Sequence, residues 1–596
     1  MTSRSRSQAA CDSCRLRKTR CARDNEEESC VLCRFHGLKC TFRHNYLRRQ
    51  RRRHSSEVEN TPGQAASTQI QTQEFDRPSA ASPPSTHTSP ASNDELLVSA
   101  PPAAAYPSIL NDTLGLDPAN HAECIGPSDY RDPILLDLRQ PNTTSSSFVR
   151  RMDDRTLFVV QSDIATVPDN KRIAVVDSVE AAVHPIGNIL VDLYFRFVHP
   201  SFPILHKDVF VTKHQASYRH MAPALLAAVY LLSLDWQIHD SRLVSGDSVC
   251  QPDISALEQL AETALQDDMR TPKLSTLEAG LLLLQRSRLG SASSMWRLHA
   301  QLVAISYDLG LHVDCSSWSI PEWEIGLRRR LGWALYMQDR WTAFVHGRPA
   351  LLHSDDWDLQ PCSSSDFPEY TKVEGLSMGV VAAPTGWRVF LRHIELTQIL
   401  NEITQTYYTT AATRRDGSLD RIGVCAAVDL AQPIIARLSQ WKTTLPDDLA
   451  FTTPYTRSLC ASASLHLAYH VVIIALYRAL VRILTPETPP TLHATVRSAA
   501  REKLQGAIQL LSSMSPEHTA AFWGSVASYQ VAMIGSFAGL LWATAETGEE
   551  MAWCATRLDD LKWALRVRGA AATFAKPALQ MLEREIGGLS VIEQIE

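Results

Sequence analysis

The sequence does not begin with an apolar run. Its first 20 residues are polar and basic, which argues against a secretory signal. The longest apolar stretch elsewhere, VAMIGSFAGLLWATA at 531–545, is shorter than the ~18–20 residues of a membrane span and predicts a buried core helix. Without an export signal the cysteines are expected in a reducing compartment, where disulfides are disfavoured. Catalytic signatures are missing too. HLAYH (466–470) sets two histidines at i, i+4, but Leu467 stands where a zinc protease needs Glu. GSFAG (535–539) is not a nucleophile elbow, and no phosphate-binding G-x-x-x-x-G-K-[ST] loop occurs. Asp339 and Arg340 in MQDRW are expected to form a structural ion pair between helices. His199 and His206, beside Pro200 and Pro203, are read as turn or core residues. The chain is therefore not expected to be an enzyme.

Tryptophan is absent from the first 235 residues; all 13 lie between Trp236 and Trp563, which locates the folded core. Residues 61–110 contain 30 Ser, Thr, Pro or Ala out of 50. Such a segment buries too little apolar surface to offset its chain entropy and is expected to be a disordered linker. No apolar heptads are sustained between 41 and 110, which leaves dimerisation open. Acidic residues are scarce at the N-terminus. Residues 1–54 carry 13 Arg and 2 Lys against 2 Asp and 3 Glu, a net of +10, although the whole chain is −6. A basic segment on an acidic body implies an anionic partner that only the N-terminus touches.

Of 13 cysteines, seven are scattered singly (Cys124, Cys250, Cys315, Cys362, Cys425, Cys460, Cys554) and are read as small buried apolar residues. The other six are Cys11, Cys14, Cys21, Cys30, Cys33 and Cys40. Their spacing, C-x2-C-x6-C-x8-C-x2-C-x6-C, is one half-motif repeated after 19 residues. Tetrahedral zinc needs four ligands. Six thiolates serve two metals only if two of them bridge, and the repeat points to Cys11 and Cys30. One metal then takes Cys11, Cys14, Cys21 and Cys30; the other takes Cys30, Cys33, Cys40 and Cys11. The spacing differs from that of ferredoxins.

The stretch around 10–42, with these spacings and CRLRK after the second cysteine, resembles the fungal Zn2Cys6 binuclear-cluster transcription factors. The loop ARDNEEES (22–29) departs from the family in lacking proline and in being acidic. The first half-loop, RLRKTR, carries four cations and the second, RFHGLK, two, so the first is the half suited to DNA. The resemblance implies two Zn2+ per chain and a CGG-type half-site on double-stranded DNA. It makes Lys18 the base reader with Arg17 beside it; Arg15 and Arg20 are assigned to phosphate. The following run RHNYLRRQRRRH (43–54), with Arg48, Arg49, Arg51, Arg52 and Arg53, suits phosphate contact and nuclear import.

The rest of the chain reads as a large all-α body. Apolar helical periodicity recurs at 222–234, 275–287, 293–309, 319–345, 386–404, 461–484 and 526–545. The 319–345 helix is expected to start with Ser319 as N-cap, Pro321 in its first turn and Glu322 completing a capping box. LVDLYFRFVHPSFPILHKDVF (190–210) and the segment 304–352 resemble the fungal-specific transcription factor domain, over roughly 185–365. The expected organisation is a zinc module at 7–44, a basic tail and linker at 45–110, an irregular connection at 111–183 and a helical regulatory domain at 184–590. Within the connection, DPILLDL and TLFVVQSDIATV are candidate short elements. The resemblance implies a nuclear, zinc-dependent regulator of RNA polymerase II transcription, acting with the transcription machinery or co-regulators. It is expected to be an activator serving one pathway, in nutrient use or a biosynthetic gene cluster. The alternative reading is a scaffold whose zinc module docks a protein partner.

Overall fold

Helical periodicity is realised wherever the sequence shows it. The computed structural model describes Cys11, Cys30, Cys33, Cys40 and Thr41, then residues 112–116, 120–137, 147–163, 169–244, 252–286, 292–371, 386–451, 459–569 and 571–586. The chain falls into two compact units, Met1–Asn111 and Asp112–Glu596. The expected linker at 61–110 lies outside the described residues.

The second unit opens with three strands, β1 (Asn120–Ile125), β2 (Ser147–Arg151) and β3 (Leu157–Ser162), and a short helix α1 (Pro133–Asp137). The strands form an antiparallel sheet of order β1-β3-β2, with Asn120 opposite Ser162 and Ser147 opposite Gln161. This corrects the reading of 111–183 as an irregular connection. The segment is a small sheet followed by helix α2 (Asp169–Val183), and it belongs to the same compact unit as the body. Phe158 and Val160 of β3 and Ala122 of β1 share a small core with Leu114, Met152, Cys315 and Trp318. Phe158 meets Trp318 edge-on, with ring centroids 5.4 Å apart. Gly310, at φ +66°, allows this approach; a Cβ there would lie 2.7 Å from the Phe158 ring.

Helices then follow almost without interruption: α3 (Gly187–Leu193), α4 (Lys207–Ala216), α5 (Pro223–Ser233), α6 (Ile254–Asp268), α7 (Leu274–Leu284), α8 (Ala292–Asp308), α9 (Glu322–His346) and α10 (Gly386–Tyr407). The C-terminal half adds α11 (Ser418–Asp429), α12 (Ala431–Thr443), α13 (Ser462–Ile483), α14 (Pro490–Ser513), α15 (Val526–Ala543), α16 (Gly548–Arg568) and α17 (Ala575–Ile586). One continuous apolar core joins α2 to α17. Two of these helices, α13 and α15, are long and apolar enough to cross a membrane by length and composition. The 15-residue run at 531–545 does not suggest this, because Ser, Gln and Tyr interrupt an apolar run without shortening the helix. In the fold 83% of the α13 window and 56% of the α15 window are buried, as in core helices.

Helix α9 is central, and its start differs from expectation. It begins at Glu322 with Pro321 as N-cap and no side-chain cap. Ser319 is instead held by β-module groups: its N–H donates to the Met152 carbonyl, and its own carbonyl accepts from Arg150. The helix ends on Gly347, in the left-handed region at φ +62°, with the Arg348 N–H returning to the Ala343 carbonyl. Along its length α9 buries five charged side chains: Glu324, Arg328, Arg330, Asp339 and Arg340. Arg328 is 1% exposed. It donates from Nε to Glu324 Oε1 (2.9 Å), from Nη1 to the Leu309 carbonyl (2.8 Å) and from Nη2 to the Leu114 carbonyl (2.6 Å). Both Glu324 oxygens accept the Leu114 N–H. A single buried ion pair thus holds the start of the second unit against the first two turns of its longest helix.

Removing one partner of a buried pair leaves an uncompensated charge and costs about 3–5 kcal/mol. Glu324→Ala should lower the urea midpoint accordingly. It should also speed amide exchange across 112–162 more than across α13; uniform acceleration would contradict the clamp.

A pH dependence follows from the buried imidazoles. Burial pushes His206, His393 and His470 down to about 4, from an ordinary value of 6.5. Below pH 6.5 the unfolded chain binds protons that the fold refuses, so stability falls on acidification from 6.5 towards 4. Each group contributes roughly 1–2 kcal/mol at pH 5. Glu278 and Asp268, whose carboxyls burial raises to about 8 and about 7, act in the opposite sense over the same range. The imidazole contribution is therefore read from a variant: His393→Gln should lose less thermal stability than the unmodified chain between pH 7.5 and pH 5.

Candidate zinc and nucleic-acid site

Four of the six motif cysteines are described, and they converge. The sulfurs of Cys11, Cys30, Cys33 and Cys40 all lie within 4.8 Å of one another. Cys11 Sγ is 3.7 Å from Cys30 Sγ and 3.6 Å from Cys33 Sγ. Four sulfurs bonded at zinc–thiolate length around one tetrahedral ion stand about 3.8 Å apart, so the cage has the size zinc requires. Cys11, Cys30 and Cys33 are at most 1% exposed. Backbone amides support the thiolates: the Cys33 N–H points at Cys30 Sγ (3.4 Å) and the Cys30 N–H at Cys40 Sγ (3.5 Å). Such outer contacts orient the sulfurs of a metal site. These four are the residues expected around the second metal, and they include the first cysteine of each half-repeat.

The remaining predicted site residues fall outside the described residues. These are Cys14 and Cys21, the DNA-facing Arg15, Arg17, Lys18 and Arg20, and the tail residues Arg48, Arg49, Arg51, Arg52 and Arg53. Of the seven scattered cysteines, Cys250 lies outside the described residues and the other six divide by environment. Cys315 and Cys554 are buried, Cys124, Cys362 and Cys460 half-buried, and Cys425 is exposed, against expectation. Burial pushes the Cys124, Cys315 and Cys554 thiols up to about 11, so they are poor metal ligands at neutral pH.

The polar groups singled out in the body have structural partners. Asp339 and Arg340 pair along one helix rather than between helices. Asp339 also accepts from His299 Nε2 (2.9 Å) on α8 and from the Leu351 and Leu352 amides, while Arg340 donates to the Leu352 carbonyl. The pair pins the chain leaving α9 back onto it. His206 caps α4 by accepting from the Val209 N–H (3.3 Å), and His199 sits in the core 3.1 Å from Glu369. The same Glu369 oxygen accepts from Arg330 Nη1 (2.6 Å). Burial alone raises a carboxyl, but the His199 hydrogen bond and the Arg330 charge hold Glu369 down at about 2. His466 bonds the Leu449 carbonyl (2.9 Å). The clamp residues Glu324 and Arg328 were missed by sequence reasoning. Their signal was an i, i+4 acid–base pair on a helix whose other residues are largely apolar.

Comparison with known proteins agrees with this division. Residues 9–50 match the model of the fungal Zn(2)-Cys(6) binuclear cluster domain, and residues 191–447 match that of the fungal specific transcription factor domain. The second match runs well past 365, where the sequence resemblance was expected to fade. Transcriptional activator protein DAL81 of Saccharomyces cerevisiae is 32% identical over 455 residues, 70% of this chain and 46% of that protein. The chain thus spans less than half the length of DAL81. An uncharacterized transcriptional regulatory protein of Schizosaccharomyces pombe is 27% identical over 519 residues, 81% of this chain and 75% of that protein. Cutinase transcription factor 1 alpha of Fusarium vanettenii is 24% identical over 294 residues, 49% of this chain and 31% of that protein. No solved structure matches. The thiol cage and the family match together give the N-terminal unit a binuclear zinc cluster.

Native mass spectrometry of the full chain should find two zincs. Cys30→Ser should lose both, because a bridging thiolate serves each metal, whereas Cys40→Ser should lose mainly one. Equal losses from the two variants would contradict the bridged arrangement.

Proposed function

Since the chain belongs to the fungal Zn2Cys6 binuclear-cluster transcription factors, we propose that it is a nuclear, sequence-specific DNA-binding regulator of RNA polymerase II transcription. The observation that carries this reading is the thiol cage of Cys11, Cys30, Cys33 and Cys40. In sequence the four cations of RLRKTR fall between the caged Cys11 and Cys30, which makes this the segment with the charge to meet DNA. In this reading Cys11 and Cys30 bridge two zincs, with Cys14 and Cys21 completing the first site. Lys18, with Arg17, meets base edges of a CGG-type triplet in the major groove. Arg15 and Arg20 meet phosphate. Arg48, Arg49, Arg51, Arg52 and Arg53 track the backbone and serve nuclear import. The helical body regulates, and co-regulators or the transcription machinery are its partners. In this reading it activates one pathway's genes, in nutrient use or biosynthesis; that DAL81 is a transcriptional activator supports the activating role.

Base and phosphate recognition fail differently, which gives the test. Lys18→Ala should lower affinity for a CGG-type site by up to about 1–3 kcal/mol and leave binding to random DNA nearly unchanged. Changing Arg51, Arg52 and Arg53 to Ala should weaken all sequences alike. It should also shallow the salt dependence by about 0.9 in log–log slope for each phosphate that is no longer neutralised. Fluorescence anisotropy on both DNAs at several salt concentrations measures both effects. Equal weakening of both DNAs by Lys18→Ala would overturn the assignment of base readout to the first half-repeat.

A further inference from the structure

Helix α13 stops at Ile483 and α14 starts at Pro490; the loop LTPETP (484–489) turns the chain between them and holds two Thr-Pro steps. The Thr488 N–H donates to the Thr485 carbonyl (2.9 Å), and the Thr488 hydroxyl accepts from the Thr485 N–H (3.0 Å). Thr488 is buried by this turn, whereas Thr485, Pro486 and Glu487 are exposed. The Thr485 hydroxyl makes only a long contact, 3.4 Å, to Thr488 Oγ1. Four described Ser or Thr residues directly precede proline: Thr271, Thr485, Thr488 and Ser515. Thr271 and Thr488 are buried. Ser515 is half-buried, and its hydroxyl lies 3.0 Å from His518 Nδ1. Among the described residues, Thr485 is thus the exposed hydroxyl in front of a proline. Proline holds the residue before it extended, the backbone form in which a kinase cleft takes a peptide.

The helix before this loop carries charge that nothing answers. Arg478 and Arg482 stand one turn apart on α13, which places them on one side of the helix, and Arg482 is three residues before Thr485. Elsewhere the body pairs its buried guanidiniums with carboxylates: Arg328 with Glu324, Arg330 with Glu369 and Arg497 with Glu550. Arg478 and Arg482 have no carboxylate partner among the described residues. Arg478 is half-buried, and its Nε finds no acceptor. Burial and the Arg482 charge depress its pKa, and the opposing group is Tyr408. That phenol donates to the Ala475 carbonyl (2.6 Å), and burial pushes it up to about 12, so it stays neutral at pH 7. The pair calls for an anion that the described chain does not supply.

We propose that Thr485 is a phosphorylation site for a proline-directed protein kinase, and that Arg478 and Arg482 hold the phosphate. The γ-phosphoryl group of ATP passes to Thr485 Oγ1. The bond from the γ-phosphorus to the ADP oxygen breaks, the Oγ1–phosphorus bond forms, and the hydroxyl proton leaves to the kinase's base. The product carries about −1.5 to −2 charges at pH 7 and presents three acceptor oxygens. Guanidinium forks suit such a group. Bridging to Arg482 and Arg478 ties the loop to the last two turns of α13, so the modification stiffens the α13–α14 hairpin. None of this depends on how DNA is read.

The test treats the full-length zinc-loaded chain with ATP and a mitogen-activated protein kinase, and maps phosphate by tandem mass spectrometry of its peptides. Phosphate should appear on Thr485 and not on Thr271 or Thr488. Other Ser-Pro and Thr-Pro steps lie outside the described residues, so Thr485→Ala receives the same treatment as a control. Treatment should slow amide exchange across 478–488 by about fivefold in the parent chain and leave it unchanged in Thr485→Ala. Arg478→Gln combined with Arg482→Gln should still accept the phosphate and lose the slowing; circular dichroism establishes that this variant folds. If it does not, Arg482→Gln alone decides, since Arg482 is exposed, and it should lose most of the slowing. No phosphate on Thr485, as much on Thr271 and Thr488, phosphate without slower exchange, or slowing that survives removal of the arginines would each overturn the proposal.

Discussion

The body is organised around charge that has been taken out of water. A guanidinium buried at 1% exposure is tolerated only if its charge is answered and its donors are used. Arg328 meets both conditions with Glu324 and with the carbonyls of Leu309 and Leu114, which belong to three separated parts of the chain. Arg330 reaches Glu369, and Asp339 with Arg340 gathers His299 and residues 351–352. Helix α9 is therefore a polar spine inside an apolar body. Its charges specify which segments lie against it, a task that non-directional apolar packing does poorly. The sheet at the start of the unit is held in this way, by the Leu114 clamp and by the hydrogen bonds from Arg150 to Thr113 and Ser319.

The two units are stabilised by different physics. A module of some 40 residues cannot bury enough apolar surface to fold alone, and metal ligation replaces the missing core. The thiol cage brings four sulfurs within 4.8 Å of one another, three of them from buried cysteines. The body has the opposite composition: its core is continuous from α2 to α17, with five of the 13 tryptophans inside it and five more packed against it. In the proposed reading the DNA-reading module depends on metal, whereas the described part of the body has an apolar core of its own.

Much of this was legible in the sequence, for identifiable reasons. The cysteine repeat was read because metal ligation depends on residue type and spacing, both visible in one dimension. Helices α5, α7, α8, α10, α13 and α15 were read because long apolar periods have few alternative explanations. The sheet was not. β1 is NHAECI and β2 is SFVRR; neither alternates cleanly, and their pairing with β3 is set by partners 42 and 14 residues away (Asn120 with Ser162, Ser147 with Gln161). The start of α9 was misplaced because Ser319 has the chemistry of a cap but is engaged by Met152 and Arg150. The burial of Arg328 was not legible, because it depends on a partner 214 residues earlier in the chain.

Selection of bound sequences from a random double-stranded DNA pool, by the full chain with and without a zinc chelator, tests the account most directly. The account predicts enrichment of a CGG-type triplet that disappears on chelation, while the helical body keeps its circular dichroism. Retention of DNA without any enriched triplet, or enrichment that survives removal of zinc, would contradict it.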